Sequence, residues 1–156
     1  MALETTANLN EETIEALQDL IQINIDSAKG FRESAEQVED MNLAGLFREM
    51  ASTREQLSEE LKQHVQYSGE RPRNDGTILA SLHRTWLDIR AKVNGGDPTS
   101  VLIEAEKGED YIKKAYEDTL KETAGSAVND VLTQQYATVK AGHDRIRDLR
   151  DSYKAG

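Results

Sequence analysis

The side chains able to hold a metal ion or move a proton fall into two carboxylate runs and three histidines. The runs are Glu33, Glu36, Glu39 and Asp40, then Glu104, Glu106, Glu109 and Asp110; the histidines are His64, His83 and His143. A local metal clip on a helix needs two imidazoles four residues apart, and no pair of these histidines has that spacing. The first carboxylate run has the pattern of a solvated helix face. The second offers oxygens to Ca²⁺ or Mg²⁺ but lacks the loop geometry that wraps a cage around such an ion. There is no cysteine, hence neither disulfide nor thiolate chemistry, and a reducing, cytoplasmic location is the expectation. No turn presenting a nucleophilic serine to an oxyanion hole can be placed, and Gly95-Gly96 opens no phosphate-binding pattern. The expectation is therefore no catalytic residue, no metal and no cofactor.

Whatever positions these groups is helical. Of 156 residues, 37% are hydrophobic and 31% charged, which suits one narrow apolar stripe per helix rather than a sandwich. Breakers at 69–76, 95–98 and 125–126, with a softer one near Asp40-Met41-Asn42, cut the chain into segments that do not alternate like strands. Helices are predicted over 10–39, 42–68, 78–93, 99–123 and 126–153. Residues 1–9 are expected to form a flexible lead-in, and 10–155 a single domain. The long segments carry apolar seams at alternating spacings of three and four, such as Ile14, Leu17, Ile21, Asn24, Ala28, Phe31 and Ala35. The segment around Leu79, Leu82, Trp86, Ile89 and Val93 is shorter and sits inside the connection between the second and fourth helices. Antiparallel neighbours need only about two to eight connecting residues, so so long a connection predicts a crossover along the bundle. The fold class expected is all-α: a ferritin-like antiparallel four-helix bundle with a long crossover carrying a short fifth helix. In that arrangement Trp86 covers the bundle, and His83 and Arg84 tie the cover to its carboxylates.

A formal net charge of −10 disfavours nucleic acid and anionic membranes, both of which reward clustered Lys and Arg. No apolar run approaches the length of a membrane span, so insertion is not expected. The partners expected are a second copy of the chain or another protein.

Each long seam carries one polar residue near its middle: Asn24, Arg54, Glu109 and Gln135. A seam position faces the core, where a charge is costly unless paired and hydrogen-bonded. Arg54 opposite Glu109 would make a charge-assisted pair, with Asn24 and Gln135 taking its remaining donors and acceptors. Asp26 and Glu106 are auxiliary candidates if either helix is slightly rotated. Such a layer either fixes the bundle's register or lines a polar cavity. His64, near the end of its seam, is expected to be half-buried and hydrogen-bonded, and His143-Asp144 to face solvent or cap.

Several elements in combination resemble a known family. They are Leu82-His83-Arg84-Thr85-Trp86; Glu106-Lys107-Gly108-Glu109-Asp110 followed by Tyr116; Gln135 with His143-Asp144 eight residues on; and Phe47, Ala51, Arg54 and Glu60-Leu61. From about Leu17 to Leu149 the chain is similar to a bacterial domain-of-unknown-function family of small four-helix-bundle proteins, grouped with the ferritin-like superfamily. The resemblance implies the fold and a bacterial origin. The superfamily's di-iron or di-manganese centre draws a carboxylate from two helices and Glu-x-x-His from the other two. This chain offers Asn24, Arg54 with Leu57, Gln135 with Thr138, and only Glu109 as a carboxylate. A fixed cation at Arg54 opposes divalent ions, which argues against a ferroxidase or oxygenase. The reading is a non-enzymatic interaction or stress-related bundle. Its alternative is a metal-binding oxidoreductase or metal store using Glu106, Glu109, Asp26 and His143 in a non-standard arrangement.

Overall fold

Each long helix begins or ends where a short polar side chain or glycine satisfies the backbone groups a helix end leaves open. In the computed structural model, which describes residues 4–6, 8–72, 87, 91 and 97–155, these helices are α1 (Glu11–Gln37), α2 (Met41–Tyr67), α3 (Pro98–Glu122) and α4 (Asn129–Ala155). Asn10 caps α1 by accepting from the Thr13 N–H at 2.9 Å, and Asp40 caps α2 by accepting from the Leu43 N–H at 3.0 Å. Asp97 caps α3 ahead of Pro98, whose missing N–H costs nothing in a first turn. No strand forms among the described residues, and none of the described helices is long and apolar enough to cross a membrane. The helix expected over 78–93, with His83, Arg84 and Trp86, lies outside the described residues apart from Leu87 and Ala91.

Two features differ from the sequence expectation by more than a residue or two. The last helix starts at Asn129 rather than at residue 126. Gly125 takes φ +83°, a left-handed value that ends the preceding turn, and Glu4 then captures the Ser126 hydroxyl and the Ala127 N–H. The lead-in expected to be flexible is held at that point: Glu4 also accepts from the Asn10 N–H at 3.0 Å and the Thr13 hydroxyl at 2.9 Å, and Leu9 is buried in the core.

The helices pair antiparallel. Arg32 meets Glu55, midway along α2, at 2.6 Å, while the Leu9 N–H ahead of α1 donates to Ser68 Oγ just past the end of α2, 3.1 Å. α4 runs against α3, with Tyr136 on Glu117 at one end and Arg150 on Glu106 at the other. It also runs against α2, with Gln135 on Glu60 and Arg145 on Glu49. α2 and α3 therefore point the same way. Between the helices lies one apolar core that includes Leu17, Ile21, Leu43, Leu61, Leu102 and Ile146, with Phe31 and Phe47 tilted together at 5.3 Å. α1 buries a second stripe (Ala16, Leu20, Ile23, Ser27, Gly30 and Ser34) beside its seam, so it is enclosed around most of its circumference. α4 is the opposite case, burying only Leu132, Gln135, Val139, Gly142 and Ile146.

Asp40 does more than cap. Its second oxygen accepts from the Tyr153 hydroxyl at 2.8 Å, joining the α1–α2 turn to the end of α4. The Leu43 N–H and the Tyr153 hydroxyl hold its carboxyl below the usual aspartate range. A depressed folded-state value stabilises above the unfolded value of about 3.9 and is lost as pH falls through the folded one. Asp40→Ala is expected to cost about 1 kcal/mol at pH 7, mostly through the lost cap. The gap between its urea midpoint and the parent's should narrow steadily below about pH 4. A gap that stays constant down to pH 2 would show that the charge of Asp40 contributes nothing.

Candidate functional site

The middle of the bundle is polar because each described helix places at least one hydrogen-bonding side chain on its buried seam. Arg54 of α2 donates through Nη2 to Glu109 Oε2 of α3, and both side chains are 1% exposed. Burial pushes the Glu109 carboxyl above the usual carboxylate range, while the Arg54 guanidinium and then His143 work against that rise. The pair needs space that a neighbouring side chain would take. A Cβ on Gly142 of α4 would lie 2.8 Å from Met50 Cε and 3.0 Å from Arg54 Nη2, so α4 presents bare backbone there.

Asn24 and Gln135 do not complete the Arg54–Glu109 pair, contrary to the sequence expectation. They meet through Tyr116, two turns along α3 from Glu109. Asn24 Nδ2 donates to the Tyr116 oxygen at 2.8 Å and to the Leu20 carbonyl at 2.9 Å. The Tyr116 hydroxyl donates in turn to Gln135 Oε1 at 2.7 Å. Gln135 Nε2 then reaches Glu60 Oε1 at 2.8 Å and the Leu57 carbonyl at 3.2 Å. This relay crosses from α1 through α3 and α4 to α2, and burial pushes the Tyr116 phenol up, keeping it a donor. Arg54 Nε and Nη1 and Asn24 Oδ1 are buried without a hydrogen-bond partner, so the two polar groups are adjacent but not joined. Tyr116 and Glu60 are the members the seam pattern missed as participants. Tyrosine counts as apolar in such a pattern, although a buried hydroxyl nearly always finds a partner.

The auxiliary candidates lie elsewhere. Asp26 is buried on α1, where its Oδ1 accepts from Gln22 Nε2 one turn back at 3.0 Å, rather than joining the central layer. Glu106 is turned to the α3–α4 boundary and paired with Arg150. His143 neither faces open solvent nor caps: its side chain is 12% exposed, with Nε2 2.6 Å from Asp110 Oδ1 and Nδ1 3.2 Å from Asp144 Oδ1. His64 is half-buried against the edge of Tyr67, ring centroids 6.3 Å apart, but its Nδ1 has no hydrogen-bond partner.

Chemically the centre offers a fixed cation, one carboxylate against it and a string of neutral donors and acceptors. None of the positions that would supply Glu-x-x-His does so: Arg54 stands with Leu57, and Gln135 with Thr138. No curated protein matches the chain. Residues 12–122, which span α1 to α3 and stop short of α4, match the family profile described as a domain of unknown function, DUF2383. That match covers well over half of the sequence, and the chain belongs to the DUF2383 family.

Proposed function

We propose that this chain is a non-enzymatic bundle of the ferritin-like kind that works by binding another protein chain, a second copy included, through its helical surface. The observation that carries this reading is the sealed Arg54–Glu109 pair. A guanidinium cannot lose its charge at any physiological pH, so it repels divalent ions from the centre and occupies Glu109, the one di-metal position that carries a carboxylate. The ferritin-like reading is supported by the parallel directions of α2 and α3, because parallel neighbours require their connection to return the length of the bundle. A bacterial origin, a stress-related role and a cytoplasmic location belong to the same reading, the last supported by the absence of cysteine.

Two measurements test it. Chelator-stripped protein incubated with Fe²⁺ or Mn²⁺ and desalted is expected to retain no pair of ions. Two ions per chain would overturn the reading in favour of a di-metal oxidase or store. Light scattering on the purified chain at low and high salt is expected to show association that strengthens with salt, since two copies of net charge −10 repel one another until added ions screen them; a chain that stays monomeric at every salt concentration would count against self-association.

The buried pair has its own test. Arg54→Met alone leaves Glu109 without its partner and should cost about 3–5 kcal/mol, whereas Arg54→Met with Glu109→Leu should recover most of that loss. Equal urea midpoints for the single variant and the parent would show that the pair is not sealed as described.

A further inference from the structure

At the α3–α4 boundary, beside the Arg54–Glu109 contact but not part of it, Glu106, Asp110 and His143 bring one ligand atom each to within 4.8 Å of one another. Glu106 and Asp110 lie one turn apart on α3, so both carboxylates leave the same face, and His143 approaches them from α4. The histidine is held on both sides: Nε2 faces Asp110 and Nδ1 faces Asp144. A neutral imidazole has a single N–H, so with carboxylates against both nitrogens one lone pair must face an anion. Two things relieve that conflict: a second proton on the ring, or a cation between Nε2 and the α3 carboxylates. A proton needs only one acceptor at Nε2. Here Glu106 as well as Asp110 brings an oxygen to within 4.8 Å of a ring nitrogen, while a third carboxylate, Asp144, stands 3.2 Å from Nδ1, where accepting its N–H would leave Nε2 free to ligate.

The geometry points to a single divalent-cation site at the α3–α4 boundary, in which Glu106, Asp110 and His143 are the ligands and Asp144 orients the imidazole. Glu106 gives one oxygen to Arg150 and keeps the other for the ion. Asp110, 62% exposed, is free to swing out from its 2.6 Å contact with Nε2 to the ligand separation of about 3.3 Å that bonds near 2.0 Å require. One imidazole with two carboxylates suits a first-row ion such as zinc better than Ca²⁺, which takes six to eight oxygens. Three protein ligands on a partly exposed boundary leave at least one coordination position for water or for a group from a partner. The site shares Glu106 and His143 with the non-standard arrangement weighed above but draws on neither Glu109 nor Asp26, and it holds one ion at the helix boundary and none at the centre.

The probe is Zn²⁺ alone, titrated calorimetrically into the chelator-stripped full chain at moderate salt. One ion per chain is expected. Asp110→Asn and His143→Asn should each weaken binding tenfold or more, Asp144→Asn roughly tenfold, and Glu49→Gln, which removes an exposed pair elsewhere on α2 and α4, not at all. Asp110→Asn is the variant least able to disturb the fold, and unchanged helical circular dichroism checks that. In ¹⁵N spectra the Nε2 resonance of His143 should move on addition of zinc while Nδ1 keeps its proton. The site is overturned by no saturable binding, by binding indifferent to Asp110→Asn and His143→Asn, or by an Nε2 resonance that zinc leaves in place. Two ions per chain with Nε2 unmoved would instead refute the reading of the bundle centre.

Discussion

A permanent positive charge in the middle of an apolar core constrains everything packed around it. Removing a guanidinium from water costs several kcal/mol even after the surroundings relax, and only a counter-charge with good geometry returns it. Arg54 is sealed at 1% exposure, so Glu109 must stand opposite, and α2 and α3 can take only the axial positions that bring the two together. The same demand reaches α4. Its backbone comes close enough that a methyl at Gly142 would displace the end of Met50, 2.8 Å away, and press on Arg54 Nη2 at 3.0 Å. Three helices are thus keyed to one contact that contributes specificity of packing more than net stability.

The relay from Asn24 through Tyr116 and Gln135 to Glu60 works differently. Its inner links are neutral hydrogen bonds, each worth only about 1 kcal/mol net, yet any one left open would cost the full desolvation of a buried group. A slip of α1 by one turn would part Asn24 from Tyr116, and a slip of α4 would part Gln135 from both neighbours. Leucine and isoleucine seams tolerate such slips, because one apolar contact replaces another. Directional bonds do not. The charged pair and the relay together remove the alternative registers that a uniformly apolar seam would permit.

The four long helices were legible in the sequence because seam periodicity and cap chemistry agree: the helices capped by Asn10, Asp40 and Asp97 start within one residue of the predicted positions. The four mid-seam polar residues were equally legible, since their spacing alone places them inward. What could not be read was who meets whom. Pairing depends on axial stagger between helices, which periodicity along one helix does not encode. Asn24 and Gln135 could be placed in the core from their seams, but Tyr116 as their common partner could not. The second buried stripe of α1 escaped for a related reason. Ser27, Gly30 and Ser34 are small or polar, and nothing in their types distinguishes a covered face from a solvated one. His143 was misread because its carboxylate neighbour Asp110 comes from another helix, 33 residues away.

The contrast between α1 and α4 separates what holds the bundle from what it can present. α1 is enclosed on most sides and contributes chiefly to the core, whereas most of α4 remains accessible. That outer face carries Arg145, Arg147 and Arg150 among Asp144, Asp148 and Asp151, linked in ion pairs that are mostly exposed. Exposed pairs of this kind add little stability, so their density on the least buried helix is not explained by folding. They give a face whose charges can be redistributed at small cost when another charged group or ion arrives. With Glu109, the carboxylate at the bundle centre, committed to Arg54, the proposed recognition of a partner falls to this surface, and α4, held to the bundle by few buried side chains, is the helix best placed for it.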